Sequence, residues 1–132
     1  MILADTSALY AIASELDPNH GRALALGAAL NEAGVEILVH TYVLSEAFAL
    51  IHHRRGLEAA LRTDDFARAF TTLAVDRPLH DRAAARLRAG DRPGVSLVDA
   101  VSFQVMQERG IREAFAFDAD FEKAGFRLYD GR

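Results

Sequence analysis

Cysteine is absent from the 132 residues, which removes disulfides, thiolate zinc sites and cysteine nucleophiles together and fits an intracellular setting. Lysine is nearly absent too: of 15 basic residues only Lys123 is a lysine, leaving one amine to steady a transferred phosphoryl group. Asp5-Thr6-Ser7 also lacks the second aspartate, two positions on, that a covalent aspartyl phosphatase needs. A phosphatase or receiver-like domain is therefore disfavoured. No run approaches the roughly 18 apolar residues of a membrane span, and Met1-Ile2-Leu3-Ala4 reaches an aspartate with no basic and apolar leader. A soluble cytoplasmic protein without membrane contact is the expectation. Positive charge is not in excess, since 19 acidic residues against 15 basic give a net −4, which argues against a non-specific nucleic-acid coat. Linkers, internal repeats and low-complexity tracts are missing, so residues 1–132 read as one domain, and 51% hydrophobic content is enough to give it a core.

What is present is an alternation of short apolar runs and helical patterns. Ile2-Leu3-Ala4 reads as a buried strand stopped by Asp5-Thr6-Ser7, whose side chains suit a helix start. A short helix over Ala8 to Ala13 follows. Pro18-Asn19 makes a turn, and a helix runs from there to Ala33 with Ala23, Leu24, Ala28 and Leu30 inward and Gly34 as its stop. Val35 to Val39 is a second strand. Helical spacing resumes from Thr41 to about Arg54, broken by Gly56. Leu57 to Thr71 reads as one or two helices with Thr63-Asp64-Asp65 as an internal cap. A third strand follows near Leu73-Ala74-Val75. Pro78 to Ala89 is an arginine-bearing helix, and Gly90-Asp91-Arg92-Pro93-Gly94 is a loop leading to a helix around Asp99. Ala114 to Phe117 is a strand ending at Asp118, Phe121 to Ala124 a short helix, and Phe126 to Leu128 a last strand. Strands separated by helices predict an α/β fold with a mostly parallel sheet of four or five strands, covered on both faces.

Functional sites in such folds collect at the carboxyl ends of the strands, and acids recur there. Asp5 and Asp118 each follow a strand. Asp99 lies among Val95, Ser102, Phe103 and Met106 at helical spacing, where an unpartnered carboxylate is costly or has its pKa raised. Glu46 falls at the edge of its helix's apolar stripe. Each acid also has a plainer reading: Asp5 as a helix cap, Glu46 as a solvated edge residue, Asp99 as a partner of Ser102 or of a salt bridge, Asp118 and Asp120 as turn residues. A pocket collecting several carboxylates would repel itself unless a hard divalent cation compensates. Five arginines between Arg77 and Arg92, against Asp81 and Asp91, form either a phosphate-contacting strip or a solvated helix face. His52-His53-Arg54-Arg55 suits a helix C-terminus, where cations complement the macrodipole. Phe48, Phe66, Phe70, Phe103 and Phe115 sit at core spacing.

The segments Ile2-Leu3-Ala4-Asp5-Thr6-Ser7-Ala8-Leu9, Ser45-Glu46, Ser96-Leu97-Val98-Asp99-Ala100 and Asp118-Ala119-Asp120-Phe121 resemble, in order and spacing, the PIN domain, and most closely its VapC-type toxins. The resemblance spans residues 2 to 121. It implies a Rossmann-like α/β/α sandwich and a Mg²⁺- or Mn²⁺-dependent endoribonuclease, the toxin of a toxin and antitoxin pair, forming a homodimer and bound by a VapB-like antitoxin. Carried across residue by residue, it implies catalytic, metal-holding carboxylates at Asp5, Glu46, Asp99 and Asp118, with Asp120 and the Thr6 or Ser7 hydroxyl as auxiliaries, and products ending in 5′-phosphate and 3′-hydroxyl. The family often carries threonine or serine two positions before the acid matched by Asp118; here that place is Ala116. The competing reading keeps the fold without the reaction, as an interaction module receiving a basic partner segment in its acidic pocket.

Overall fold

The computed structural model describes residues 1–90 and 93–132. Its elements run β1 (Ile2–Ala4), α1 (Thr6–Ala13), α2 (His20–Glu32), β2 (Ile37–His40), α3 (Thr41–Arg55), α4 (Leu57–Ala67), β3 (Thr71–Leu73), α5 (Arg77–Arg88), α6 (Leu97–Arg109), β4 (Glu113–Phe115), α7 (Asp120–Lys123) and β5 (Arg127–Leu128). The strands form one sheet in the order β3-β2-β1-β4-β5. Every pairing is parallel, with Leu3 opposite Leu38 on one side and Ala114 on the other. Chain order therefore reverses at β1: β2 and β3 build outward on one flank, β4 and β5 on the other. That reversal opens a crevice beyond the carboxyl ends of β1 and β4, where doubly wound sheets place their sites.

Side-chain alternation assigns the two faces. Leu3, Leu38 and Ala114 point into a cluster with Val101, Phe103 and Met106 of α6. Ile2 and Phe115 face Ala8 and Ala11 of α1 and Ala23, Leu26 and Leu30 of α2, and Ala4 and Val39 face Leu9, Val43, Ala47 and Ile51 of α1 and α3. Burying a phenylalanine contributes roughly 1.5–3 kcal/mol, and Phe103, Phe115 and Phe121 are each fully buried. Phe103 and Phe121 meet edge to face at 5.2 Å between centroids, tying α7 to α6. Helix α6 is buried on most of its circumference and stops at Gly110, whose left-handed φ of 67° a side chain would resist.

Several local expectations shift. Helix α1 begins at Thr6 rather than Ala8, because the Asp5 side chain caps it directly. In α2, Leu26 rather than Leu24 or Ala28 faces inward, and Leu24 is 49% exposed; small alanines on several faces left the stripe ambiguous. Strand β2 runs to His40 and β3 begins at Thr71, two residues before the apolar run, since β3 is a polar edge strand. Helix α4 is a single unbroken helix: Thr63 lies inside it and donates its hydroxyl to the Ala59 carbonyl at 2.9 Å instead of capping. Phe66 is 47% exposed and not a core residue. Strand β4 ends at Phe115, so Asp118 hangs from a short connection beyond it. Of the Gly90 to Gly94 loop, Asp91 and Arg92 lie outside the described residues.

Candidate active site

Asp5 leaves β1 in extended conformation and caps α1. Its Oδ2 accepts from the Ser7 backbone N–H at 3.2 Å and from the Ser7 hydroxyl at 2.6 Å. The Ser7 Oγ in turn accepts from the Phe117 N–H at 2.9 Å, and the Asp5 N–H extends the ladder to the Phe115 carbonyl at 3.0 Å. One serine thus fastens the ends of β1 and β4 together under the first acid. Ala116 is buried in the core, so this end of the site draws its hydroxyl from Ser7. Thr6 is also buried, and its Oγ1 has no hydrogen-bond partner among the described residues.

Beyond β4, the Asp118 Oδ1 accepts from the Asp120 N–H at 2.9 Å, which folds the chain into α7 and brings both carboxyls to the same side. Asp99 enters from α6, whose N-terminus is capped by the Ser96 hydroxyl accepting from the Asp99 N–H at 3.1 Å. Carboxyl oxygens of Asp99, Asp118 and Asp120 all lie within 4.8 Å of one another.

The field among these acids is strong. The Asp99 carboxyl is pushed up to about 7, first by burial and then by the charges of Asp5, Asp118 and Glu46. Asp5, only 4% exposed, is also raised; burial is the main cause, opposed by its bonds from Ser7 and reinforced by Asp118. The structure thus gathers Asp99, Asp118 and Asp120 tightly, couples Asp5 to Asp99 and Asp118, and leaves Glu46 exposed on α3 at the rim, where its charge acts on Asp99. The plainer reading of Asp99 fails on both counts. Among the described residues no cation contributes to its shift, and the Ser102 hydroxyl lies 2.8 Å from His40 Nε2 instead.

The clustered donors are all oxygen, with Lys123 Nζ 3.8 Å from the Asp120 carboxyl, a set that suits a hard divalent ion such as Mg²⁺ or Mn²⁺ better than zinc or copper. Three arginines of α5, Arg77, Arg82 and Arg86, have partners on α5 or α6. Arg82 forks onto Glu108 at 2.7 and 3.0 Å, Arg77 pairs with Asp81 at 3.1 Å, and Arg86 bonds Gln107 at 2.8 Å and lies over the Phe103 ring. Arg82 and Arg86 join α5 to α6. His52, His53, Arg54 and Arg55 form the exposed last turn of α3.

Sequence reasoning passed over His40. It is fully buried at the end of β2, and its ring is held down to about 4 by burial. The available signal was its position between an apolar strand and a helix start, where a polar side chain is expected to cap.

The profile of the PIN domain matches residues 2–127. The chain is 36% identical over 129 residues to a protein described as 23S rRNA-specific endonuclease VapC20 in two Mycobacterium tuberculosis strains, CDC 1551 / Oshkosh and H37Rv, covering 96% of this chain and 95% of each relative. The crystal structure of M. tuberculosis VapC20, described as a sarcin-ricin loop cleaving toxin, superposes with a TM-score of 0.87 at 33% identity, over 96% of both chains.

Proposed function

The chain belongs to the PIN domain family, and from that premise we propose that it is a divalent-metal-dependent endoribonuclease, the toxin of a toxin and antitoxin pair, cutting 23S ribosomal RNA at the sarcin-ricin loop. The observation that carries the reading is the convergence of Asp99, Asp118 and Asp120 oxygens within 4.8 Å, with Asp5 electrostatically coupled to the first two. The whole of 1–132 acts as one unit. A homodimer and a VapB-like antitoxin complete the proposal.

In this reading Asp5, Asp99 and Asp118 hold the cation, with Asp120 beside them and Glu46 at the rim. The bound ion supplies Lewis acidity to the scissile phosphate and lowers the pKa of water. The protein's own part is positional and electrostatic. Ser7 holds the Asp5 carboxyl in one orientation through its two donors. The turn at Asp118 and Asp120 fixes a second pair of oxygens. Asp99, protonated about half the time near pH 7 without an ion, releases that proton when the ion binds, so site assembly and deprotonation are linked. The carboxylates of Asp5, Asp99 and Asp118 disfavour RNA phosphate, and a bound divalent ion would compensate that charge.

The test is incubation of the purified protein with 23S rRNA in Mg²⁺ or in EDTA, mapping breaks by primer extension. A single break in the sarcin-ricin loop, requiring Mg²⁺ and lost in Asp5→Asn, is the expected result. Intact rRNA under both conditions, with a basic antitoxin segment still bound, would favour the silent interaction module instead.

A further inference from the structure

The acids are delivered by two helices belonging to different packing blocks. Helix α3, with Glu46, packs chiefly on α1 and α4, whereas α6, with Asp99, packs chiefly on α5. Direct contact between α3 and α6 is slight, and the apolar burial on which each helix sits is non-directional. Like charge on Asp99 and Glu46 pushes the two apart. Something directional must oppose that push before any cation arrives.

His40 and Ser102 meet this description. Both are 0% exposed, and His40 Nε2 lies 2.8 Å from Ser102 Oγ. The Val43 backbone N–H donates to His40 Nδ1 at 3.3 Å, so Nδ1 carries the lone pair, Nε2 carries the proton, and the ring donates to the serine. One imidazole therefore caps α3 on one side and grips α6 on the other. Ser102 is one turn beyond Asp99, on the same helix face, so fixing the serine fixes the rotation that aims the acid. Buried, such a bond is directional and costly to leave unmade.

We propose that His40 and Ser102 are a positioning pair that holds Asp99 in register with Asp5, Asp118 and Glu46, preorganising the carboxylates for a divalent cation while touching neither ion nor RNA. The inference rests on the metal-dependent reading of the site. It places part of the metal affinity in a contact between elements, remote from the acids themselves.

The two ring nitrogens separate by substitution. His40→Asn retains an acceptor near Nδ1 for the Val43 N–H but falls short of Ser102; His40→Gln retains a donor near Nε2 and gives up the cap. Mn²⁺ dissociation constants from direct titration, urea midpoints in EDTA, and kcat and KM for rRNA cleavage are measured for wild type, Ser102→Ala, His40→Asn and His40→Gln. Ser102→Ala and His40→Asn are expected to weaken Mn²⁺ binding about tenfold, as loss of supporting contacts around metal ligands typically does. His40→Gln should retain more affinity than His40→Asn even where it is the less stable of the two. Cleavage at saturating RNA and subsaturating Mn²⁺ should fall in kcat, with KM for RNA little changed. Ser102→Ala removes one oxygen from a helix and is expected to fold, so it decides the matter if a His40 variant does not. Mn²⁺ affinity within twofold of wild type in Ser102→Ala, or losses that follow stability alone across the three variants, overturns the pair. A wild type that binds no Mn²⁺ removes the metal reading and this inference with it; a wild type that binds while all three variants bind equally removes only the inference.

Discussion

Replacing Asp99 by asparagine should make the metal-free protein more stable at pH 8 and much less so at pH 4.5. The folded carboxyl titrates at about 7 against an ordinary 3.8, so between those values the native state keeps a proton that the unfolded chain has lost. Native-state stability therefore falls as pH rises through that window. Three pKa units correspond to about 4 kcal/mol; partial exposure of the side chain allows solvent screening, which reduces the expected effect to about 2 kcal/mol. The amide in Asp99→Asn has no charge to be desolvated by burial or to repel Asp5, Asp118 and Glu46, so the variant regains that amount at pH 8, on the order of 6 °C in Tm for a chain of this length. His40 tilts the profile oppositely. Its folded value of about 4 lies below the ordinary 6.5, so its contribution is complete above 6.5 and is lost as pH falls toward 4, a span of about 3 kcal/mol. In the wild type the Asp99 slope offsets part of the histidine slope between pH 4 and 6.5. In Asp99→Asn the histidine slope stands exposed, and stability should climb with pH across that range. Urea unfolding followed by circular dichroism in EDTA, from pH 4.5 to 8, measures both effects. A variant less stable than wild type at pH 8, or one whose gain is as large at pH 4.5, would refute the reasoning and point to a structural ion pair at Asp99.

Three further outcomes follow from the same geometry. Mn²⁺ affinity should strengthen by up to about tenfold per pH unit below 7 and level off above it, because binding displaces the Asp99 proton; calorimetry in buffers of different ionisation enthalpy detects that proton, and a pH-independent affinity contradicts the linkage. Ser7→Ala removes both the donor to Asp5 and the acceptor for the Phe117 N–H; it should cost about 1–2 kcal/mol and move the acid limb of the pH–rate profile upward, whereas an unshifted limb would show that Ser7 does not tune Asp5. Gly110→Ala forces a side chain into φ 67° and should lower stability by about 1 kcal/mol in thermal unfolding with Mn²⁺ binding intact; an unchanged midpoint would contradict the assigned helix stop.

The sheet and its helices were legible because their signals are local: β1 is apolar and ends at a capping acid, α6 keeps helical spacing, and Gly56 and Gly110 punctuate. Failures fell where local signal is weak. Alanines on several faces blurred the inner side of α2, and the polar edge strand β3 has no alternation to read. At the site, the residue types and the sheet edge could be read in advance, since strand ends and helix starts are encoded nearby. The ranking among the acids could not. That Asp120 lies tight against Asp99 and Asp118 while Glu46 stands at the rim depends on the Asp118 turn and on how α3 and α6 rotate against each other. The contact bearing on that rotation, His40 to Ser102, joins residues 62 apart in the chain, and neither local sequence announces the other.

The most direct measurement is anomalous scattering from crystals grown with Mn²⁺. A peak within coordination distance of Asp99 and Asp118, with Asp5 oriented toward it by Ser7, is the predicted result. Density showing these carboxyls turned to solvent, with no manganese among them at saturating concentration, would contradict it.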